Sequence, residues 1–375
     1  MSDVEIVEVE SSAQLKQFIN LPNRLYRDDP NYVTPLTVER KEFFDKQANP
    51  FYRTAKTTLF LALRDGKPVG RIATCISYRH NEFHDEQVGF FGFLDTEDDE
   101  TVSRKLLKVA MITLKKAGMV TMRGPMNFST NHECGFLVEG FDSPPMIMMP
   151  YNAPYQVKLA EAFGLKKAMD LIAYRLDEEA GISDRILSVV EKRRERSGVT
   201  IRTLNMKQFD SEVDRLREVY NAAWAYNWGF VPMDEAEFTH MAKNLKQIVD
   251  PNIVCIAEHE GRMVGFSLAL PNINQALIRL KGRLFPFGLL KLLWHTKVSN
   301  KVNSCRIITF GVIPDFRNRA IDMLLFYETF QRGVAAGYTW GELSWVLETN
   351  ELMNRGIEQM RAKPYKTYRI LEMPL

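Results

Sequence analysis

The chain has 375 residues, enough for two domains with their own cores. Its apolar share of 45% and charged share of 26% are ordinary for a globular protein and exclude a disordered chain. A formal net charge of +2 provides no global field for nucleic acid, and Cys75, Cys134, Cys255 and Cys305 lack the spacing of a disulfide framework or zinc site.

The opening MSDVEIVEVESS is acidic and lacks the apolar core of a signal peptide. No uncharged apolar run approaches the ~20 residues that span a bilayer. A reducing cytoplasm is the expected setting. VEIVEV reads as a first strand, and helical segments follow it. TLFLAL (Thr58–Leu63) and RDGKPVGRIA (Arg64–Ala73) read as strand, glycine turn, strand, which is a hairpin signal. YRHNEFHDE carries His80, Glu82, His84 and Asp85 and reads as a polar surface turn. His80 and His84 would share a face suited to a metal only if that turn were helical. VGFFGFL is a further strand. Asp95, Glu97, Asp98, Asp99 and Glu100 then put five carboxylates in six positions, which is hostile to phosphate, ahead of a helix over DETVSRKLLKVAMITLKKAG. The loop RGPMNFSTNHECG (Arg123–Gly135) follows a short strand. Its polar density marks Asn127, Asn131, His132 and Glu133 as substrate-binding candidates, while Cys134 beside His132 is not read as a nucleophile, because adjacency in sequence gives no geometry.

The second half repeats the first. Gly66, Val69 and Gly70 match Gly261, Val264 and Gly265 in HEGRMVGFSLA, each pair 195 positions apart, and IVCIAE precedes that turn as TLFLAL does. Asn152 and Asn350 each precede a helical segment, and AYRL at 173–176 and TYRI at 367–370 each end a half. Matches in the same order at near-constant offset predict two copies of one mixed α/β fold. The expected domains are 1–178, a linker helix over 179–198, and 199–375.

Three later stretches carry candidate chemistry. From Gly261 to Pro314 there is no acid and there are eight Lys or Arg residues, and LKGRLFPFGLLKLLWHTKV inside this window is apolar and basic. It reads as a segment lying on an anionic membrane or covering an acyl chain, or as a core helix with basic flanks. Next, GVIPDFRNRAIDMLLFYETF (Gly311–Phe330) joins a strand to a helix through a turn with Arg317, Asn318 and Arg319. A helix start with two guanidinium groups beside it suits an anion. A solvated turn with two surface arginines is the competing reading. Finally, Glu342 and Glu348 in GELSWVLETN lie six apart and are expected on one strand face, where either could take a proton. Tyr365 and Tyr368 in KPYKTYRI are candidate proton donors, with Tyr368 taken as the catalytic one; half-buried strand tyrosines are the competing reading.

This order of elements, with VIPDFRNRAIDMLL, resembles the GNAT superfamily of N-acetyltransferases. More broadly the chain is similar to tandem GNAT-like bacterial proteins of the YghO type and to long-chain N-acyltransferases, including ceramide-forming bacterial enzymes. The resemblance implies acyl-CoA as co-substrate, no metal, and a turn whose backbone amides hold the pyrophosphate. Carried over by position, Val312 faces the thioester, and Arg317, Asn318, Arg319, Ala320 and Ile321 form the anion turn. Ala320 and Asp322 stand where the family has glycines. Asn350 matches an asparagine that contacts the cofactor arm, and Ile357 replaces the family's tyrosine acid. The first half has no such turn. The implied function is transfer of an acyl group, long-chain if the apolar window serves it, to a small-molecule or lipid amine, with peripheral membrane contact and no nucleic acid. The alternatives are a non-catalytic ligand- or protein-binding member and a transferase that uses aminoacyl-tRNA.

Overall fold

The computed structural model describes residues 3–282, 302–317 and 319–375. The described residues divide into two compact units. One gathers the described residues of Met1–Leu171 and Leu277–Leu289 together with Lys366–Leu375. The other gathers those of Ile172–Ala276 and Leu290–Tyr365.

In unit one the chain runs β1 (Val4–Glu8), α1 (Ser12–Leu25), α2 (Thr37–Phe43), β2 (Ala55–Arg64), β3 (Lys67–Ser77), α3 (Tyr78–His84), β4 (Val88–Thr96), α4 (Glu100–Lys116), β5 (Thr121–Gly124), β6 (Phe136–Glu139) and α5 (Tyr155–Phe163). Local chemistry explains several of these boundaries. Ser11 and Gln14 form a reciprocal capping box at α1. Asp65 and Gly66 both take positive φ, so β2 and β3 close through the turn whose twist suits a hairpin. The strands pair in the order β1, β2, β3, β4 antiparallel, then β4 with β5 in parallel. Val69, Ile72, Phe91, Leu106, Leu107 and Met122 lie in the core between this sheet and α4.

After β7 (Lys166–Asp177) and α6 (Asp184–Arg196), unit two repeats the plan. It contains β8 (Thr200–Thr203), α7 (Phe209–Trp224), α8 (Glu235–Leu245), β9 (Val254–His259), β10 (Arg262–Pro271), α9 (Asn274–Leu277), β11 (Ser304–Val312), α10 (Ile321–Ala335), β12 (Trp340–Leu347), α11 (Glu351–Gln359) and β13 (Lys363–Pro374), counting elements at its borders. Glu260 and Gly261 form the matching positive-φ turn. β8, β9, β10 and β11 pair antiparallel, and β11 pairs with β12 in parallel.

The registers superpose. Gly70 faces Thr96 as Gly265 faces Val312, and Val88 faces Thr121 as Ser304 faces Trp340. Thr96 is therefore the structural counterpart of Val312. The repeated glycine has a steric cause: a Cβ on Gly70 would lie 2.7 Å from Leu106, and one on Gly265 2.9 Å from the Gly311 carbonyl and 3.2 Å from Leu325. Each glycine lets the following helix approach the sheet.

The units do not follow the sequence halves at their closing strands. Leu371 of β13 faces Gly124 of β5, and Tyr368 faces Leu137 of β6, so the C-terminal strand completes unit one. Ile172–Asp177 of β7 is counted with unit two, where β7 borders β12. The motifs at 173–176 and 367–370 lie in these two closing strands.

YRHNEFHDE is a helix start rather than a surface turn, because Ser77 caps it and His80 is buried at 2% exposure. His80 Nε2 lies 3.2 Å from a Glu86 oxygen, and its ring meets Phe90 edge-on. Burial pushes the His80 imidazole down to about 4, against an upward pull from Glu86. The folded value lies below the unfolded one, so the unfolded chain binds the extra proton between them. The contribution of neutral His80 is full above the unfolded pKa of ~6.5 and drains as pH falls towards 4. The urea midpoint is expected to fall between pH 7 and pH 5, and His80→Gln to flatten that slope. An unchanged slope would assign the acid sensitivity to other groups.

Candidate active site

In unit two the apolar strand β11 ends with Val312 and Ile313 buried in the core. Pro314–Phe316 form one tight turn, Asn318 lies outside the described residues, and Ala320 precedes α10 with φ +59°. That left-handed conformation is natural to glycine and costs an alanine roughly 1–2 kcal/mol. It explains physically why a glycine is expected there. Ile321 and Leu325 anchor α10 in the core. The N-cap Ala320 has no side-chain acceptor for the first amides of α10. Asp322 sits exposed in the first turn.

The two arginines are less available than the sequence suggests. Arg317 donates through Nη2 to the Ala223 carbonyl at 2.7 Å and through Nε to the Val312 carbonyl at 3.4 Å. It fastens the turn to the end of α7, where the last carbonyls of a helix welcome a cation. Arg319 lies 4.5 Å over the Phe316 ring.

The first repeat answers the same helix start differently. Residue 100 opens α4 four positions after Thr96, whereas residue 321 opens α10 nine positions after Val312, so the second turn is five residues longer. Asp99 caps α4 by accepting from the amides of Thr101 at 2.7 Å and Val102 at 3.3 Å. Arg64 binds Asp99 at 2.5 Å and Glu97 at 3.3 Å. Burial alone would raise the Asp99 pKa, but Arg64 and the two amides outweigh it and hold the carboxyl below its usual range. The Thr96 carbonyl accepts from Tyr155 Oη at 2.7 Å and Gln156 Nε2 at 3.0 Å. The anion position of the first repeat is thus filled by its own carboxylate.

The parallel ladder pairs Ser304–Ile307 with Trp340–Leu343, while β11 runs on to Val312 and β12 to Leu347. Within it Arg306 faces Glu342. Glu342 is 0% exposed. Its Oε1 accepts from Ser344 Oγ at 2.5 Å and lies 3.3 Å from Arg306 Nε, and its Oε2 accepts from Tyr365. Arg306 also donates to Ser344 Oγ at 2.7 Å and stands 5.3 Å over the Trp345 ring. Arg306 precedes Val312 by six residues, roughly 20 Å of strand at ~3.3 Å per residue, so Glu342 is not level with Val312. An open cleft of about 450 Å³ including its mouth has apolar walls from Ile307, Phe326, Phe330 and Leu343, and Glu342 also lines it.

Several expected site residues fall elsewhere. Glu348 lies in the turn after Leu347, where β12 has ended, so it does not share a strand face with Glu342. Asn350 caps α11 by accepting from the Met353 amide at 3.3 Å, and Ile357 is core. Tyr368 is 0% exposed in unit one, so Tyr365 is the tyrosine that reaches Glu342.

The polar loop of unit one is braced from within. Asn127 accepts from the Phe93 amide at 2.8 Å and donates to Glu133 at 2.9 Å. Glu133 pairs with Arg40. Burial would raise the Glu133 pKa, but Arg40 outweighs it and holds the carboxyl below its usual range. The Asn131 amide donates to Ser129 Oγ at 3.2 Å, and Ser129 Oγ lies 3.2 Å from His132 Nδ1. His132 meets Phe43 and Phe51 edge-on. Asn127 and Glu133 therefore serve the loop's own geometry, a role the sequence hid because Arg40 lies 93 positions away. All four cysteines are buried free thiols. Among the described residues no three His, Cys, Asp or Glu gather to hold a metal, and no helix is long and apolar enough to cross a membrane. Apart from Gly282, the apolar and basic window 282–297 lies outside the described residues.

The strained Ala320 makes a direct test of this turn. Ala320→Gly is expected to raise stability by up to ~1 kcal/mol in chemical denaturation, relief of the left-handed strain exceeding the added unfolded-state entropy. A loss of stability would contradict the backbone geometry at α10.

No protein-family profile matches the chain. It is 40% identical to the "Bacterial ceramide synthase" of Caulobacter vibrioides over 382 residues, covering 100% of this chain and 98% of that one. It is 38% identical to "Protein YghO" of Escherichia coli over 363 residues, covering 96% and 92%. Among solved structures, a tandem GNAT protein from the clavulanic acid biosynthesis pathway aligns with TM-score 0.58 at 12% identity, covering 99% of this chain and 98% of that one. A GCN5-related N-acetyltransferase from Sphaerobacter thermophilus aligns with TM-score 0.55 at 12% identity, covering 99% and 95%. Full-length identity to two bacterial relatives and a shared tandem architecture agree: the chain belongs to the tandem GNAT family of YghO and the bacterial ceramide synthase, an acyltransferase fold.

Proposed function

We propose that the chain is an N-acyltransferase that uses acyl-CoA, with the donor held by the second repeat and a lipid amine as acceptor. The observation that carries this reading is the contrast at the two helix starts. Asp99 occupies the amides of α4, while α10 begins at Ala320, which has nothing to place there. A pyrophosphate suits the second start and is repelled from the first. The relative named for ceramide synthesis supports a long-chain acyl group and an amine-bearing lipid.

The reaction needs a neutral amine aimed at the thioester carbonyl and a donor for the oxyanion. With the phosphates at the turn, the long pantetheine arm runs back along β11 towards the end of the parallel ladder. That path brings the thioester nearer to Glu342 than the carry-over onto Val312 implies. A backbone N–H of β11 serves the oxyanion. Glu342 serves as the base, in preference to Glu348.

Two charge changes test the donor site in opposite directions. Ala320→Asp places a carboxylate beside the first amides of α10 and is expected to weaken palmitoyl-CoA binding. Asp322→Asn removes a repulsive charge and is expected to tighten it. Each effect is about 2- to 5-fold, the size of a helix-terminus charge at ~0.3–1 kcal/mol. Calorimetry showing no palmitoyl-CoA binding by the wild type, or neither change, would overturn the site.

The membrane contact is tested separately. Co-sedimentation with phosphatidylserine vesicles is expected to fall with salt and when Lys281, Arg283 and Lys291 become glutamine, at ~1 kcal/mol per charge. Absence of binding at low salt would remove the membrane contact from this reading.

A further inference from the structure

Among the described residues, the indole Nε1–H of Trp345 is buried and meets no acceptor. An indole nitrogen can only donate, and leaving such a donor unmet inside a protein costs stability. Native proteins keep few groups of this kind, and a catalytic role is one reason to keep one. The nearest charge does not answer it. The Arg306 guanidinium stands 5.3 Å over the Trp345 ring, and a guanidinium also only donates. Its effect is to hold the ring by its electron-rich face, leaving the positive edge with its N–H for another partner.

The place of Trp345 in the sheet is equally specific. The parallel ladder ends with Ile307 opposite Leu343, and Trp345 lies two positions further along β12. Past Ile307, β11 stays paired with β10 as far as Val312. Trp345 therefore stands where β12 has parted from β11. Leu343 and Val346 are core residues, whereas Trp345 is half-buried. Arg306, which stands over the indole, also lies 3.3 Å from Glu342. One guanidinium thus neighbours both the proposed base and an unmet donor.

We infer that Trp345 is a catalytic residue whose Nε1–H bonds the reacting carbonyl oxygen of the acyl thioester and steadies the charge that forms there; this rests on the acyl-transfer reading above. As the amine nitrogen bonds to the carbonyl carbon, the C=O electron pair moves onto oxygen, and a donor already in place gains strength as that charge grows. When the pair returns, the C–S bond breaks and its electrons leave on sulfur. The amine proton goes to the general base and ends on the thiolate. One N–C bond replaces one C–S bond, and no oxidant or reductant is needed. The indole acts beside the β11 amide, as a second donor to the same oxygen.

The test uses the full chain with palmitoyl-CoA and sphinganine, read by thiol release. Trp345→benzothienylalanine keeps the bicyclic ring and exchanges N–H for sulfur. Its kcat is expected to fall about 100- to 1,000-fold, the usual loss when one oxyanion donor is removed. Palmitoyl-CoA affinity by calorimetry stays within about twofold, because the bond tightens only in the transition state. The urea midpoint stays level or rises, because the deleted hydrogen had no partner to lose. Trp345→Phe keeps an aromatic face for Arg306 and is expected to lose kcat to a similar extent. A kcat within about threefold of wild type in the isostere overturns the assignment. So does an equal loss of palmitoyl-CoA affinity, and so does a lowered midpoint for the isostere, which would show the hydrogen already paired. Wild-type failure to bind palmitoyl-CoA overturns the acyl-transfer reading itself, whereas wild-type turnover with an unimpaired isostere overturns the role of Trp345 alone.

Discussion

A helix offers its first amides to one anion, and the nearest takes them. In this chain the same framework is built twice, and that competition is decided oppositely in the two copies. At α4 the Asp99 carboxylate is already in place and Arg64 neutralises it. A capping interaction of this kind contributes roughly 1 kcal/mol, so the first repeat gains stability where an active copy would keep an opening. At α10 the turn is longer, its cap residue has no side-chain oxygen, and the backbone holds an alanine in a conformation made for glycine. The second repeat forgoes the cap and tolerates strain, the pattern expected where a site has been kept for a ligand.

The buried cluster around Glu342 obeys a second constraint. A carboxylate without exposed surface is tolerable only if its lone pairs are met, and Arg306, Ser344 and Tyr365 meet them. Breaking a buried pair by removing one partner costs about 3–5 kcal/mol, which is why conservative substitutions are the informative ones here. The cluster draws on β11, β12 and β13, so the geometry of one carboxylate depends on three strands being correctly placed.

How much of this was legible in sequence follows from distance along the chain. The two hairpins were readable because Asp65–Gly66 and Glu260–Gly261 carry their turn chemistry locally. The crowding of carboxylates at the start of the first repeat's helix was readable because it is local in sequence, and Asp99 is the one that caps α4. The turn before α10 stood out in sequence by its arginines, yet Arg317 proved to be held by Ala223, 94 positions away. Glu348 was misplaced because strand periodicity was extended past Leu347, where the strand stops. Tyr365 and Tyr368 were indistinguishable because nothing local shows which part of β13 passes Glu342. In each miss the deciding partner was remote in sequence or the element ended early.

The exchange of closing strands has a consequence for how the chain is made. Unit one has its own sheet, core and helices within the first 171 residues, yet β5 lacks its neighbour until Lys366–Leu375 arrives. During synthesis the early unit must wait with an open sheet edge while some two hundred further residues are added. An unpaired edge is where chains aggregate, and contacts this distant in sequence form slowly. The two repeats are therefore not modules that can be cut apart and studied singly. The tail of one is the wall of the other, and a separated N-terminal half would be a sheet with its last place vacant.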